Sequence, residues 1–337
     1  MDDFARRLLA WYRRHGRHDL PWQVSDPYAR WLAEVMLQQT TVTAVIPYFR
    51  RFMGAFPTVR ALAQATQDEV LAHWAGLGYY ARARNLHAAA RLITERYAGE
   101  FPRTAEDWAA LPGVGPSTAA AIVAFAFGIP APILDANARR VLARYHAVGG
   151  RDARALRALW THARDHTPTH DAAAYTQAIM DLGALVCRKT PECAACPVAA
   201  GCAFEGEDAP ITRRPRPERA VFMALIRDPG RGFLLVRRPS RGVWGGLWSL
   251  PESAELKGLQ AAVAALGLEP RMGPAVAPIH HVFTHFRLTI TPIPVEGVSQ
   301  APGVAECGDV MWYKGHGPGP GMPAPIRRLL NQFLEVP

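Results

Sequence analysis

The chain has 337 residues, of which 49% are apolar and 20% are charged, a composition that excludes a disordered protein. Lys and Arg number 38 against 29 Asp and Glu, so the formal net charge is +9, which favours a polyanionic partner such as nucleic acid. The longest apolar run, residues 119–129, is far shorter than the ~20 residues that cross a bilayer, and the acidic opening Met1-Asp2-Asp3 argues against a signal peptide. We therefore expect a cytoplasmic protein.

Residues 1–205 are predicted to be helical, because apolar residues recur at spacings of three and four and β-branched runs are scarce. The segments 68–74 (DEVLAHW) and 137–145 (NARRVLARY) show the pattern clearly. Pro and Gly separate the predicted helices, at 57, 76–78, 99, 112–115 and 149–150.

Residues 111–115 (LPGVG) lie between two predicted helices and contain Gly113 and Gly115. Glycine permits a tight turn, and such a turn exposes backbone N–H groups at the start of the second helix, where a phosphate oxygen binds without sequence preference. The alternative is a plain turn between two helices.

Asp135 follows an apolar stretch, begins a predicted helix and lies 20 residues after Gly115. Aspartate is a favoured N-cap because its carboxylate accepts a hydrogen bond from a free backbone N–H. The same carboxylate could also face a cleft, and the two interpretations are compatible.

Four of the five cysteines follow the pattern C-x5-C-x2-C-x5-C, at Cys187, Cys193, Cys196 and Cys202. Four thiolates this close in sequence indicate one metal centre rather than a disulfide framework. Zinc and an iron–sulfur cluster both accept four thiolates, so the spacing alone does not choose between them. Four unrelated buried cysteines are the remaining alternative.

The composition changes after residue 205. Residues 206–219 hold three prolines and four arginines without apolar periodicity, which predicts a linker. Strand-like runs follow at 220–226, 232–236 and 287–293, with one Ala-rich predicted helix at 254–266. The pattern indicates a smaller α+β domain over residues 220–337.

The LPGVG turn, an Asp about twenty residues later and the four-cysteine cluster together resemble the helix-hairpin-helix DNA glycosylases of the endonuclease III superfamily. The resemblance implies a multidomain protein whose all-α core, residues 1–205, combines a six-helix barrel with a 4Fe-4S cluster module at 187–202. It therefore favours iron over zinc. The first cysteine gap holds five residues where the family has six, so we expect a shortened loop with the cluster retained.

Four further segments are similar to the adenine-specific branch of this superfamily, the MutY family: LPWQ (20–23), DPY (26–28), WLAEVMLQQT (31–40) and GLGYYARARNL (76–86). The similarity runs through nearly all of residues 4–204. It implies base-excision repair of duplex DNA, by cleavage of the N-glycosidic bond of adenine mispaired with 8-oxoguanine or guanine. We expect a monomer associated with the bacterial nucleoid.

The resemblance implies that Glu34 protonates the flipped adenine and then assists the attacking water, while an ionised Asp135 stabilises the sugar cation. Glu34 lies on a predicted helix among Trp31, Leu32 and Val35, and apolar surroundings raise a carboxyl pKa. The alternative is a solvated helix Glu. The other implied substrate contacts are Trp22 and Gln177 at the adenine pocket, Asn137 beside Asp135 or the sugar, Gln38, Gln39 and Tyr79 in the vacated stack, and Gly113, Gly115 and Ser117 at a phosphate.

Lyase-active members of the superfamily carry a Lys two residues after LPGVG, and its amine attacks the sugar. Here that position is Ser117, whose hydroxyl cannot form an imine. We therefore expect a hydrolytic, monofunctional enzyme.

Residues 242–252 (GVWGGLWSLPE) resemble a Nudix fold. The pairs that would carry the Mg²⁺-binding carboxylates are Q-A (260–261) and A-A (264–265), so Nudix hydrolysis is not expected. The resemblance implies a domain that recognises 8-oxoguanine through Phe283, Thr284 and His285, with Thr where the family has Ser. The linker is a candidate contact for a sliding clamp or another repair factor.

Three alternatives remain beside the adenine glycosylase. Ser117 and the Nudix-like domain argue against a glycosylase/lyase for oxidised pyrimidines. The joint presence of Glu34 and Asp135 argues against a non-catalytic DNA-binding protein with an iron–sulfur centre. The missing carboxylates argue against a Nudix pyrophosphatase.

Overall fold

The computed structural model describes residues 1–150, 152–206, 215–296, 308–315 and 319–334. The chain divides into two compact units, Met1–Ala65 with Arg84–Ile211 and Thr66–Ala83 with Thr212–Pro337. Most of the predicted linker, residues 207–214, lies outside the described residues, as does Cys307. Within the described ranges, no helix has the length and apolar character needed to span a membrane.

Helices account for the N-terminal part of the chain. They are α1 Asp3–His15, α2 Pro27–Leu37, α3 Val42–Ala55, α4 Val59–Gln64, α5 Gln67–Trp74, α6 Ala81–Arg96, α7 Ala105–Ala109, α8 Pro116–Phe127, α9 Ala136–Tyr145, α10 Ala153–His166 and α11 Ala172–Asp181, followed by a π-helical turn, Leu182–Val186. Helix α5 belongs to the second unit, and α6 begins there. The predicted all-α core is confirmed.

Helix starts follow the capping chemistry of the sequence. The carboxylates of Asp2, Asp26, Asp135 and Asp152 each accept a hydrogen bond from the first turn of the helix that follows, which satisfies an otherwise unpaired backbone N–H. Loss of such a cap typically costs about 1 kcal/mol.

Helix α8 lies at the centre of the first unit. Its residues 119–125 are all buried, as expected for a helix that is apolar on every side, and α2, α7 and α11 pack against it. Beside it, Trp31 on α2 contacts Trp108, with ring centroids 5.7 Å apart. Burial of large aromatic side chains is a major source of core stability and fixes α2 in place.

The described residues of the second unit form a seven-stranded mixed sheet with two helices in addition to α5. The elements are β1 Glu218–Asp228, β2 Gly232–Arg237, β3 Trp248–Ser249, β4 Glu252–Ser253, α12 Leu256–Ala265, β5 Ile279–Val282, β6 Arg287–Val295, β7 Val310–Tyr313 and α13 Ala324–Leu334. The main path runs β3-β2-β1-β6-β5, with β4 paired to β1 and β7 to β2. Strands β1 and β6 are parallel, whereas the other pairs are antiparallel.

An ion pair between two partly buried side chains connects helix α5 to this sheet. Both Arg237 terminal nitrogens donate to the carboxylate of Asp68, one at 2.6 Å, and the indole of Trp248 donates to the same carboxylate at 3.4 Å. The Arg237 guanidinium also lies over the Trp248 ring at 4.6 Å. A bidentate contact of this kind is geometrically specific, and it is one of the contacts between Thr66–Ala83 and the rest of the second unit.

Candidate active site

Glu34 lies on α2 between the buried residues Ala33 and Val35 and is itself only partly exposed. Burial of its carboxyl, together with the nearby charge of Asp135, raises its pKa to about 8, and the positive charge of Arg30 opposes the rise. Among the described residues, none hydrogen-bonds or ion-pairs with this carboxyl. Burial is the larger cause, and it disfavours the charged form of the carboxyl.

Asp135 is the N-cap of α9, and its Oδ1 accepts a hydrogen bond from the backbone N–H of Ala138 at 2.7 Å. Burial raises its pKa, whereas the amides of Ala138 and Asn137 and the charge of Arg140 oppose that rise. Both interpretations of this residue, cap and site carboxylate, are thus compatible with its position.

The two carboxyl groups belong to the same unit and interact. The Asp135 charge is a cause of the raised Glu34 pKa, so the two carboxyl groups titrate as an interacting pair. The two residues are 101 positions apart in the sequence. They are connected through packing of α2 on α8, of α8 on α11 and of α11 on α9. One ionised and one protonated carboxyl is the arrangement used for acid catalysis beside a developing cation.

The LPGVG segment forms a turn between α7 and α8. Gly113 has a φ of +77°, and a Cβ there would lie 2.7 Å from the Asn85 Cβ, so only glycine fits. Gly115 is the N-cap of α8, which leaves backbone N–H groups exposed there. Gln38 donates to the carbonyl of Gly113 at 3.2 Å.

The Ser117 hydroxyl accepts a hydrogen bond from the backbone N–H of Leu134 at 3.0 Å. This contact ties the first turn of α8 to the residue immediately before Asp135. The side chain thus has a defined structural role in addition to its proximity to the LPGVG amides.

A cavity of about 280 Å³ opens in the first unit, and neither Glu34 nor Asp135 is among its lining residues. Its lining residues are Tyr12, His18, Gln23, Arg30, Phe125, Ala173, Ala174 and Gln177. Gln177 lines this cavity, and its amide nitrogen donates to the buried Asp181 at 2.9 Å. Trp22 does not line this cavity and packs edge-on against Phe49 with ring centroids 5.4 Å apart.

The remaining predicted contacts on α9 and on exposed loops are placed as follows. The Asn137 amide nitrogen lies 3.4 Å from the Asp135 carboxylate, and its oxygen accepts from Arg140 at 2.9 Å. Gln39 is exposed and has a φ of +59°. Such a conformation is uncommon outside glycine, and strained residues of this kind concentrate at functional sites.

Tyr79 and Thr284 come together within the second unit. Tyr79 is 43% exposed and has a φ of +50°, and its hydroxyl lies 2.8 Å from the Thr284 hydroxyl. The two residues are 205 positions apart in the sequence, and nothing in that spacing predicts this hydrogen bond.

The predicted triplet Phe283, Thr284 and His285 forms the tip of the hairpin between β5 and β6. The Phe283 N–H donates to the Phe286 carbonyl at 2.9 Å and closes the turn, while Thr284 and His285 are exposed. Phe283 stacks on Phe286 with ring centroids 4.4 Å apart, and Trp244 contacts it at 5.3 Å. Packing thus fixes the aromatic member while the two polar members face solvent.

All four clustered cysteines line one cavity of about 80 Å³, beside Arg144 and Phe204. Among the described residues, no group of three or more His, Cys, Asp or Glu side chains is already arranged to hold a metal ion. Four thiols around one cavity are the donor set that zinc and iron–sulfur clusters both take.

Two arginines on α9, which the sequence analysis did not single out, hold the segment that carries the cysteines. Arg140 donates to the carbonyls of Gly183 and Cys187 at 2.6 and 2.7 Å. Arg144 donates to the Cys187 sulfur at 3.3 Å and to the Arg188 carbonyl at 2.6 Å. Their spacing of four on one helix face was the available signal.

Comparison with known proteins agrees with this geometry. Residues 32–163 match the HhH-GPD superfamily of base excision DNA repair proteins, and residues 222–332 match the NUDIX domain. An adenine DNA glycosylase of Buchnera aphidicola is 32% identical, with 98% of each chain covered. The chain belongs to the adenine DNA glycosylase family. The human adenine DNA glycosylase is 34% identical over 85% of the chain and 65% of the human protein.

Solved structures agree with the fold of the first unit. A thermostable thymine-DNA glycosylase is 29% identical and superimposes with a TM-score of 0.55, covering 60% of this chain and 94% of that one. A non-covalent endonuclease III–DNA complex, 24% identical, gives a TM-score of 0.52 over 59% and 91% of the chains and supports the fold. As a member of the adenine DNA glycosylase family, the protein is a base-excision-repair hydrolase of N-glycosyl bonds, as predicted.

Proposed function

We propose that this adenine DNA glycosylase acts on adenine mispaired with 8-oxoguanine or guanine and is monofunctional. The observation that carries the catalytic part is the interaction between two carboxyl groups, in which the charge of Asp135 contributes to the raised pKa of Glu34. Adenine leaves readily only when protonated, and the sugar it leaves develops positive charge. The pair supplies both needs.

In the proposed reaction, the base is first extruded from the duplex. Glu34 donates its proton to the extruded adenine, and the N-glycosidic bond breaks as an oxocarbenium ion forms at the sugar. Asp135 stabilises that cation by its charge, and Asn137 orients the Asp135 carboxylate from 3.4 Å. The Glu34 carboxylate then accepts a proton from the attacking water, which restores the acid.

Contacts to the duplex are proposed at exposed groups. The start of α8, whose first turn has no side-chain cap, suits a phosphate oxygen. The space that the extruded adenine leaves in the base stack is proposed to be filled by Gln38, Gln39 and Tyr79. The adenine pocket is assigned to Gln177 and Trp22. The exposure of Tyr79 and Gln39 supports the wedge role.

The monofunctional character is supported by Ser117. Its oxygen is engaged with the Leu134 N–H, and a hydroxyl offers no amine that could form a Schiff base with the sugar. Cleavage of the DNA backbone then requires a separate chemical step.

Recognition of 8-oxoguanine is assigned to Phe283, Thr284 and His285. The exposed Thr284 hydroxyl and His285 imidazole offer hydrogen-bonding groups at a hairpin tip that aromatic packing holds in place.

We place the activity at the bacterial nucleoid. A contact with a sliding clamp or another repair factor is proposed through residues 206–219.

A 4Fe-4S cluster is proposed to be held by Cys187, Cys193, Cys196 and Cys202. The cavity that these four cysteines line together supports this assignment. When bound, the cluster would supply a rigid inorganic crosslink between the ends of the loop. Arg140 and Arg144 connect that loop to α9, which carries Asp135 at its other end.

The protein purified without added metal is expected to contain iron and acid-labile sulfide and to absorb visible light. Cys196→Ser should lose most of the iron, because it removes one of four thiolate ligands. Cys307→Ser is the matched control and should retain it. Metal analysis checks this prediction, and stoichiometric zinc without iron would show that the cluster assignment is wrong.

A panel of defined duplexes tests the proposed substrate. Adenine should be released from 8-oxoguanine:A and G:A pairs, faster from the first, and not from A:T, while thymine glycol should remain intact. Strand breaks should appear only after treatment with hot alkali. Release of thymine glycol, or breaks without alkali, would favour the glycosylase/lyase alternative.

A further inference from the structure

Arg30 lies four residues before Glu34 on α2, on the same face of the helix. It is half-buried and lines the 280 Å³ cavity with His18, Gln23 and Gln177. Partial burial of a charged side chain costs folding free energy unless the charge is paired or hydrogen-bonded.

The Arg30 side chain is held by two contacts that direct it away from a direct pair with Glu34. Its Nε donates to the Val24 carbonyl at 2.7 Å, and its guanidinium carbon lies 4.8 Å from the centre of the Phe125 ring, a cation–π arrangement. Within the described residues, no ion pair joins it to Glu34. Its charge is therefore fixed near the carboxyl without touching it.

The other titratable groups that line this cavity are Tyr12 on α1 and His18 in the segment after it. Asp135, the N-cap of α9, does not line the cavity but acts on Glu34 through its charge. Arg17 donates to the buried Asp181, the last residue of α11, through Nε at 2.9 Å and its backbone N–H at 2.7 Å, so these two opposite charges largely cancel. The influences that remain on Glu34 are the negative Asp135 and the positive Arg30.

We propose that Arg30 is a positioning residue of the glycosylase, whose fixed charge adjusts how tightly Glu34 holds its proton. The inference rests on the proposed role of Glu34 as the general acid. A buried carboxyl beside Asp135 alone would hold its proton too tightly to transfer it efficiently, whereas a carboxyl in direct contact with arginine would have no proton to give at neutral pH. An intermediate proton affinity is the favourable case for an acid that also acts as a base.

The test is the pH dependence of single-turnover adenine release from an 8-oxoguanine:A duplex. The wild-type rate should fall as the pH rises through about 8, because Glu34 loses its proton there. In Arg30→Met and Arg30→Gln the midpoint of that fall should move up by about one pH unit, the size expected for loss of a unit charge several ångströms away in a partly buried site. Arg30→Lys should largely restore the wild-type midpoint.

Arg103→Met is the matched control, because Arg103 lies 4.9 Å from the Phe127 ring, also on α8, and does not act on Glu34. Its midpoint should equal that of the wild type. Duplex affinity should change less than threefold in all Arg30 variants. A midpoint that stays in place in both neutral variants, or a loss of affinity without a shift, would overturn the proposal for Arg30. Absence of adenine release from the wild-type protein would instead overturn the proposed function.

Discussion

Glu34→Gln is expected to lower the rate of adenine release by about 10²–10⁴-fold, the usual contribution of a general acid, while duplex binding is retained. Gln has nearly the shape of the protonated acid but no transferable proton. Single-turnover release and duplex affinity, measured at pH 7 on the same 8-oxoguanine:A substrate, check this result. Turnover at the wild-type rate would be incompatible with the proposed mechanism.

Glu95→Gln serves as the control, because Glu95 is an exposed helical carboxylate whose nearest cation, Arg91, is 3.9 Å away. This variant should leave the rate of adenine release unchanged.

The pH dependence of folding stability gives a second test of Glu34. The folded-state pKa of Glu34, about 8, lies above its ordinary value of 4.5, so wild-type stability falls as the pH rises between these values. Glu34→Gln should remove that loss and have the higher denaturation midpoint at pH 8.

Asp135→Asn is expected to slow adenine release by about 10²–10³-fold, equivalent to roughly 3–4 kcal/mol of barrier, because a charge aimed at a developing cation is lost. Asparagine caps helices as well as aspartate does, and its oxygen can still accept from the Ala138 N–H. The variant therefore separates the charge from the cap. Release rates and thermal melting together check the prediction.

Asp152→Asn is the matched control. Asp152 caps α10 in the same way, with a 2.8 Å hydrogen bond from Ala155, and this variant should melt and react like the wild type. If Asp135→Asn lost as much stability as activity, the slower reaction would be attributed to the fold and the electrostatic role would be wrong.

Local rules were sufficient for much of the fold. The alternation at 287–293 predicted β6, which extends to Val295, and the Ala-rich pattern at 254–266 predicted α12. Strands β3 and β4 have two residues each, too few for any periodicity to be visible. Their formation depends on pairing with β2 and β1, which no local pattern encodes.

In the candidate site too, some features follow from the local sequence and others depend on contacts between distant segments. The residue types around Glu34 predicted a raised pKa, and the position of Asp135 predicted its cap. The influence of Arg30 and the hydrogen bond between Tyr79 and Thr284 depend on the packing of distant segments. These contacts could not be inferred from residue types or spacing, because they join positions whose proximity exists only in the folded chain.

The grouping of Thr66–Ala83 with the C-terminal unit has a practical consequence for limited proteolysis. The polypeptide passes between the units three times, after residues 65, 83 and 211. A single proteolytic cut in the predicted linker, residues 206–219, therefore leaves two fragments that do not coincide with the two units. The N-terminal fragment would keep Asp68 but lose Arg237, and the two pieces would be expected to co-elute under native conditions until a denaturant parts them.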